Sequence, residues 1–312
     1  MTDMTTMTTT KTIRCETGGE RIDVFLAANL HGVSRNAAQK LIEAERVKLV
    51  KPLGGLFLRK NYITGAGDEY IISIDEPTDS AAIPQNIPLD VVYEDNDLIV
   101  INKPQGMVVH PAPGHSDGTL VNALLAYCGE SLSGIGGEKR PGIVHRIDKM
   151  TSGLIVAAKN DFAHFSLTTQ LAERTLVREY AAIVHGRIKD EKRTIDAPIG
   201  RHQTDRKRQA VRDNNSRKAV THIEVVTVYD KFTHIRCRLE TGRTHQIRVH
   251  MAHIGHPVAG DVVYGRKKAE FGLLGQALHA GRLEFIHPTS GEAIKLVTDL
   301  PEYFEEVLRK IG

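Results

Sequence analysis

The sequence has few cysteines, and the three present, Cys15, Cys128 and Cys237, stand far apart. No C-x-x-C pair occurs, which argues against a disulfide scaffold or a zinc ribbon and favours free thiols in a reducing compartment. Long apolar runs are also missing. None approaches the roughly 20 residues needed to span a bilayer, and the threonine-rich start lacks the apolar segment of a secretory signal. We therefore expect a cytoplasmic protein without membrane association.

A strong net charge is lacking as well. The formal charge is +3 over 312 residues, so only a local basic patch could indicate a nucleic-acid partner. Hydrophobic residues make up 41% and charged residues 25% of the chain, as in ordinary globular proteins. Neither a Walker loop nor a G-x-G-x-x-G fingerprint occurs, and we expect no cofactor.

The pattern of apolar and polar residues predicts four parts. Residues 1–18 are polar and are expected to form a disordered lead-in. Residues 19–75 combine two short helices, over 21–30 and 35–45, with small strands. Residues 76–90 are rich in Pro, Asp and Ala and are expected to form a linker. The remainder, 91–312, is the larger domain.

Cations are concentrated in two regions. In the first domain, Arg35 and Lys40 belong to a compact basic module, although a solvated helix face would show the same pattern. Residues 202–218 hold the densest group, which we expect on an exposed loop or hairpin. That group consists of Arg206, Lys207, Arg208, Arg212, Arg217 and Lys218. It is either a phosphate-binding site or a solubilising loop.

The stretch 141–159 reads P-G-I-V-H-R-I-D-K-M-T-S-G-L-I-V-A-A-K. Its apolar run, 154–158, predicts a buried strand, so Asp148 lies on a turn that leads into that strand. Such an aspartate often only caps a turn. If its charge is partly buried it needs hydrogen-bond donors, which the hydroxyls of Thr151 and Ser152 could provide.

The stretch 241–257, T-G-R-T-H-Q-I-R-V-H-M-A-H-I-G-H-P, predicts a turn and a helix that ends at Gly255. Its four histidines raise the question of a metal site. The spacing is not H-E-x-x-H, and no nearby cysteine joins the histidines, so we expect no metal there.

Two further residues stand out. Lys103 ends a predicted strand in N-K-P-Q-G-M-V-V-H-P, where it belongs either to a plain strand–turn connection or to the wall of a site. Tyr180 lies in the predicted strand 177–185, where tyrosine ordinarily packs between strands.

Together these segments resemble the RluA-type pseudouridine synthases, whose motifs are H-R-[LI]-D-x-x-T-S-G, N-K-P-x-G-x-x-V-H-P and T-G-R-x-H-Q-[IL]-R-x-H. The resemblance covers nearly the whole chain and is strongest from about 92 to 261. It implies isomerisation of uridine to pseudouridine in RNA. It also implies an α+β fold with a mixed, mainly antiparallel central sheet and flanking helices. The first domain is similar to the α-L RNA-binding fold of a ribosomal protein, although V-K-P-L-G-G stands where that family has V-N-G.

The resemblance also implies roles for individual residues. Asp148 would be the catalytic aspartate, and Tyr180 would pack against the target uracil. Arg248 would pair with Asp148 through a forked hydrogen bond. Arg146 would fill the gap left by a flipped nucleotide. The predicted RNA-binding residues are Arg146, Arg243, His245, Lys103, Arg35, Lys40, Arg206, Lys207 and Arg208.

The chain looks most like the RluD/RluC branch of the family, because it combines the first domain with the motifs H-P-A-P-G and R-P-G-I-V-H-R-I-D. This implies a large-subunit (23S) ribosomal RNA target, free or in a pre-ribosomal particle, and we expect a monomer. Transfer RNA remains an alternative target. A non-catalytic RNA-binding or ribosome assembly protein would keep the basic regions without needing Asp148. A carboxylate-based N-glycosidase would want a second acid, which the central motif does not offer.

Overall fold

The computed structural model describes residues 8–30, 33, 35–52, 55–75, 82–111, 115, 117–133, 142–205, 208–268 and 270–312. Contacts divide this part of the chain into two compact units, one up to residue 75 and one from residue 82 onward. No helix within the described ranges is both long and apolar enough to cross a bilayer.

The N-terminal unit combines two helices with a four-stranded antiparallel sheet. The helices are α1 (Ile22–Asn29) and α2 (Arg35–Glu43). The strands are β1 (Thr8–Arg14), β2 (Val47–Lys51), β3 (Leu56–Phe57) and β4 (Glu69–Asp75), in the order β1-β4-β2-β3.

The core of this unit follows from residue spacing. Helix α1 buries Ile22, Phe25 and Leu26, which are three and four residues apart and therefore share one helical face. Strand β2 buries the alternate residues Val47 and Leu49. These side chains belong to one apolar cluster, so the helices cover one face of the sheet.

The expected disordered lead-in is wrong for residues 8–18. Strand β1 pairs with β4 over seven residues, from Thr8 opposite Asp75 to Arg14 opposite Glu69. Cys15 follows it directly and is buried in the core of this unit. The segment is polar, but threonine is a β-branched residue that favours strands. Polarity alone was therefore a poor guide to disorder here.

A buried carboxylate ties the two helices of this unit together. Asp23 accepts hydrogen bonds from Arg21 Nε at 2.9 Å, Arg35 Nε at 2.9 Å and Gln39 Nε2 at 2.5 Å. Burial alone raises the pKa of Asp23, but these hydrogen bonds outweigh it and the net shift is downward. The stabilisation is fully present above the unfolded pKa of about 3.9 and is lost as the pH falls toward the folded value.

The second unit is built on a nine-stranded sheet. Its strands are β5 (Val91–Glu94), β6 (Leu98–Lys103), β7 (Ser152–Ala158), β8 (Val177–His185), β9 (Lys192–Asp196), β13 (Val220–Val228), β14 (Phe232–Leu239), β15 (Leu278–Ile286) and β16 (Ala293–Val297). A small separate sheet holds β10 (Ile199–Arg201), β11 (Gln209–Val211) and β12 (Ser216–Arg217). The helices are α3 (Leu120–Cys128), α4 (Asp161–Glu173), α5 (Gln246–His253) and α6 (Glu302–Ile311), with a 3₁₀ turn at Gly129–Ser131.

The strand order is β5-β6-β7-β15-β8-β14-β13-β9, and β16 pairs with β15. Neighbouring strands are antiparallel except β7 and β15, which run parallel. The predicted α+β class with a mixed, mainly antiparallel sheet is therefore confirmed. The cationic segment after residue 201, predicted as a loop or hairpin, contributes strands β11 and β12 to the small sheet.

Strand β7 lies in the middle of the sheet and is buried along its whole length. Ile155 and Ala157 join the apolar cluster that includes α3, whereas Leu154 and Val156 join the cluster that includes α4. A strand covered on both faces needs an uninterrupted apolar run. This explains why the apolar run 154–158 follows the turn that carries Asp148.

Gly153 is required by a close approach between β7 and β15. Its φ is 112°, in the region that favours glycine, and a Cβ at this position would lie 2.3 Å from the carbonyl oxygen of Ala280. Gly153 lies opposite Ala280 in the parallel pairing. The glycine therefore lets the strand after Asp148 pack against β15.

We predict that Gly153→Ala destabilises the protein by more than about 3 kcal/mol, because backbone strain of about 1–3 kcal/mol adds to a clash with backbone that cannot move aside. Gly255→Ala is the matched control, since its φ is also positive at 84° but nothing lies within 4 Å of an added Cβ. Chemical denaturation of both variants tests this. Equal losses would contradict the argument.

Candidate active site

Asp148 lies on the turn just before β7, and its side chain is 18% exposed. The Thr151 N–H donates to the backbone carbonyl of Asp148 at 3.0 Å, which closes the turn. The expected side-chain donors are directed elsewhere. Thr151 Oγ1 accepts from Gln276 Nε2 at 3.0 Å, and Ser152 Oγ lies 2.8 Å from His279 Nδ1. Those hydroxyls therefore do not hold the carboxylate.

The partner of Asp148 is Arg248, which projects from α5. Arg248 Nη1 donates to Asp148 Oδ2 at 2.9 Å. The fork predicted between these two residues is instead directed at Asp261: Nε donates to Asp261 Oδ2 at 2.7 Å and Nη2 to Asp261 Oδ1 at 3.0 Å. The pairing with Asp148 is correct, but it consists of one hydrogen bond.

Asp261 is a site residue that sequence reasoning missed. It is buried, and Asp261 Oδ1 also accepts from the N–H groups of Val263 and Tyr264, at 2.9 and 3.1 Å. Burial alone lowers the pKa of Arg248, but the hydrogen bonds and charges of Asp261 and Asp148 raise it well above its usual range. The guanidinium is thus permanently charged, and Asp261 fixes the plane in which it meets Asp148.

A pocket that is open to solvent surrounds this pair. Tyr180, from β8, is 6% exposed and lines it together with Asp148 and Arg248. Burial raises the pKa of Tyr180, and the nearby Arg178 opposes the shift only in part. The phenol therefore stays neutral at pH 7. A pocket with one carboxylate, a fixed cation and an aromatic wall can bind a planar base and act on its sugar.

His245 belongs to the same pocket. It lies directly before α5 with a φ of 58° and lines the pocket. Nδ1 lies 2.8 Å from the Tyr264 hydroxyl, and Nε2 lies 4.0 Å from Asp148 Oδ1. Burial lowers the pKa of His245, although the Asp148 charge counteracts it. We therefore expect a largely neutral imidazole beside the free carboxylate oxygen.

Lys103 is not available to RNA, so its prediction as an RNA-binding residue is wrong. The side chain is fully buried. Its ammonium donates to the carbonyls of Pro104 at 2.7 Å, Met107 at 2.9 Å and Lys149 at 3.3 Å. Burial lowers the pKa of Lys103 to about 7, opposed by the charge of Asp148. Lys103 instead ties the loop after β6 to Lys149, the residue that follows Asp148.

The other predicted RNA-binding cations are spread over both units. Arg146 is exposed and lines the pocket, as does Arg243, whose Nε donates to the Lys218 carbonyl at 3.0 Å. The Arg208 guanidinium lies over the Tyr264 ring, 5.3 Å from its centroid. Arg35 and Lys40 belong to α2 of the N-terminal unit, where both are exposed although Arg35 also pairs with Asp23. Arg206 and Lys207 lie outside the described residues.

The histidines after His245 do not converge on a common point. His250 lies 2.9 Å from both Thr221 Oγ1 and the Ala197 carbonyl, and His256 Nδ1 lies 2.8 Å from the His185 carbonyl. In the described part of the chain, the group with metal-ligand atoms within 4.8 Å of one another is Asp95, Asp97 and His287. Its closest contact is an ordinary hydrogen-bond distance of 2.7 Å between His287 Nε2 and Asp95 Oδ2.

Comparison with known proteins adds independent information. A family model described as RNA pseudouridylate synthase matches residues 97–253. The chain is 48% identical over 297 residues to an uncharacterized RNA pseudouridine synthase of Bacillus subtilis, with 95% of each chain covered. It is 46% identical over 292 residues to ribosomal large subunit pseudouridine synthase D of Zymomonas mobilis, with 91% of each covered. The solved structure of human RNA Pseudouridylate Synthase Domain Containing 1 aligns with a TM-score of 0.56 and 25% identity, covering 73% of this chain and 96% of that one.

We predict that Asp261→Asn lowers the catalytic rate about 100-fold, because misplacement of a reacting group by about 1 Å can cost that much. The variant should also unfold at a lower temperature, since buried Arg248 loses a charged partner. Asp148→Asn is the matched control and should leave the unfolding temperature nearly unchanged, because its carboxylate is partly solvated. Single-turnover kinetics and thermal unfolding measure the two effects. A normal rate in Asp261→Asn would show that Asp148 needs no such support.

Proposed function

Because this chain belongs to the RNA pseudouridylate synthase family, which converts uridine in RNA to pseudouridine, we propose that Asp148 performs this isomerisation and that the target lies in large-subunit (23S) ribosomal RNA. The observation that supports Asp148 most directly is its hydrogen bond from Arg248 inside a pocket that Tyr180 also lines.

Uridine isomerisation conserves every atom. The bond between ribose C1′ and uracil N1 breaks, the base turns, and a new bond joins C1′ to C5. C5 loses a proton and N1 gains one, so the reaction needs no oxidant, ATP or metal. It does need an ionised carboxylate beside the ribose, as a nucleophile or a base. Asp148 is suited to this role because Arg248 binds one carboxylate oxygen and leaves the other directed toward the pocket.

Tyr180 is suited to hold the base. An aromatic face provides a platform for a pyrimidine ring, and its position in β8 makes that platform rigid. A neutral phenol is a weak proton acceptor, and burial raises the pKa of Tyr180. We therefore favour the role of platform over that of base for removal of the C5 proton.

Uridine within stacked RNA must leave its helix to enter the pocket, and this leaves a gap. Arg146 is exposed and lies two residues before Asp148, so it is placed to fill that gap. Arg243 and Arg208 are suited to contact the phosphates on either side. The basic N-terminal unit would contribute affinity without sequence readout.

The relatives named for the large ribosomal subunit support that RNA as the target. We propose that the enzyme works in the cytoplasm on ribosomal RNA or on a pre-ribosomal particle. The residues that line the pocket all come from one unit of a single chain, so a monomer suffices for catalysis.

We predict that wild-type enzyme forms pseudouridine at defined positions of ribosomal RNA from cells that lack the enzyme, and that Asp148→Asn lowers this rate roughly 10⁴-fold or more, as loss of an essential catalytic group does. The variant should still bind the RNA. Carbodiimide treatment followed by primer extension maps the products. Asp190→Asn is the matched control, because that side chain is 64% exposed and lies outside the pocket.

Each alternative gives a different result. Products in transfer RNA only would refute the ribosomal target. Release of free uracil would indicate an N-glycosidase. Binding of RNA without pseudouridine from wild type would indicate an assembly protein, and normal activity of Asp148→Asn would exclude that residue as the catalyst.

A further inference from the structure

One buried arginine of the pocket has no hydrogen-bond or ion-pair partner among the described residues. Arg178 lies on β8, is 8% exposed and lines the same pocket as Asp148. Within the described residues its guanidinium forms neither a hydrogen bond nor an ion pair, and its buried Nε is unsatisfied. A buried cation without a partner is costly, so a ligand is expected to supply one.

Among the described residues, no carboxylate forms an ion pair with Arg178, and the titratable groups whose charges it affects are neutral. Burial raises the pKa of Tyr180, which therefore stays neutral. Burial, helped by the charge of Arg178, lowers the pKa of His145 to about 3, and that ring is neutral as well. Burial also lowers the pKa of Arg178, although Tyr180 opposes the shift. The guanidinium remains a cation that, among the described residues, has no carboxylate within ion-pair distance, although Asp148 lines the same pocket.

The chain leaves room for this guanidinium at Gly242. A Cβ added there would lie 2.7 Å from Arg178 Nη1. Gly242 and the next residue, Arg243, both line the pocket. A side chain at position 242 would displace the guanidinium, so the glycine keeps Arg178 in place at the pocket surface.

Its position favours the base over a phosphate as the ligand. Arg178 and Tyr180 are two residues apart on one strand, so they share a face and lie about 7 Å apart along it. A pyrimidine ring that stacks on Tyr180 would extend one of its carbonyl oxygens over this distance to Arg178. RNA phosphates bind well to solvated cations such as Arg146, because their binding releases counterions. A desolvated donor acts most strongly on charge that develops during reaction.

The chemistry places such charge on uracil by every route open to Asp148. If the carboxylate attacks C1′, or removes a ribose proton, the electron pair of the C1′–N1 bond leaves with the base as a uracil anion. If the carboxylate adds to C6, the ring electrons move onto O4 as an enolate. In each case the negative charge reaches a carbonyl oxygen of the ring. It disappears when C1′ is joined to C5, the C5 proton leaves and N1 is protonated.

We propose that Arg178 is a catalytic residue: its guanidinium donates a hydrogen bond to a carbonyl oxygen, O2 or O4, of the target uracil and stabilises the negative charge on the detached or activated base. The inference rests on the proposed isomerisation at Asp148. It gives two of the pocket's cations separate roles, Arg248 for the carboxylate and Arg178 for the base.

The first test compares Arg178→Met with wild type on an unmodified RNA that wild type converts to pseudouridine. The single-turnover rate of pseudouridine formation should fall about 100- to 1,000-fold, as for loss of one preorganised donor, while the Kd for RNA stays the same. The unfolding temperature should not fall, because an unpaired buried charge has been removed. Arg187→Met, at an exposed position after β8, is the matched control and should keep the full rate. Gly242→Ala should lower the rate by displacing the same guanidinium.

The second test replaces the acceptor. RNA carrying 2-thiouridine or 4-thiouridine at the target position offers sulfur, a weaker acceptor, in place of O2 or O4. The fold-change in rate that sulfur causes is measured in wild type and in Arg178→Met. For one of the two thio-substrates, these fold-changes should differ by about fivefold or more, because the energetic effects of groups in contact are not additive. A purely structural role for Arg178 would give no such coupling.

An unchanged rate in Arg178→Met with an active wild type would overturn this inference and leave the proposed function intact. A loss confined to Kd would overturn it in favour of a phosphate contact. A fall in unfolding temperature without coupling to either thio-substrate would overturn it in favour of a structural role. Failure of wild type to isomerise any RNA would overturn the proposed function, and this inference with it.

Discussion

The site depends on one guanidinium shared between two carboxylates. Arg248 is buried and needs charged partners. Asp261, also buried, accepts a forked pair of hydrogen bonds from Nε and Nη2, and within the described residues Nη1 donates to Asp148. Because Asp148 is held at one oxygen and is 18% exposed, it stays both oriented and accessible. A carboxylate buried as deeply as Asp261 would be satisfied by protein donors and would have no oxygen left for a substrate.

This interaction explains much of the architecture around it. Asp148 and Arg248 are 100 residues apart in sequence, and they meet because the turn before β7 lies beside the first turn of α5. Gly153 lets β7 approach β15, and Lys103 ties the loop after β6 to the residue next to Asp148. The scaffold is a sheet whose central strand is covered on both faces, and it therefore holds the turn rigidly.

Sequence reasoning identified the parts of the site that belong to continuous motifs. The turn with Asp148, the strand after it and the helix with Arg248 could be predicted from the residues, because the spacing of apolar residues and the turn residues act locally. The mainly antiparallel sheet was implied only by the resemblance to the family. Asp261 could not, since its role depends on a chain reversal after α5 that no local pattern describes. Lys103 was misassigned because sequence shows a cation but not its burial. Residues 8–14 were misassigned because pairing with β4, a tertiary contact, decides their structure.

We infer that the geometry of Arg248, and not only its charge, makes Asp148 competent for catalysis. Arg248→Lys tests it most directly, because lysine keeps the charge but cannot form a planar fork with Asp261 while donating to Asp148. The measurement is the single-turnover rate of pseudouridine formation on RNA bound to saturation. We expect a rate at least about 100-fold below wild type with unchanged RNA affinity. A rate near that of wild type would show that a positive charge alone suffices and would contradict it.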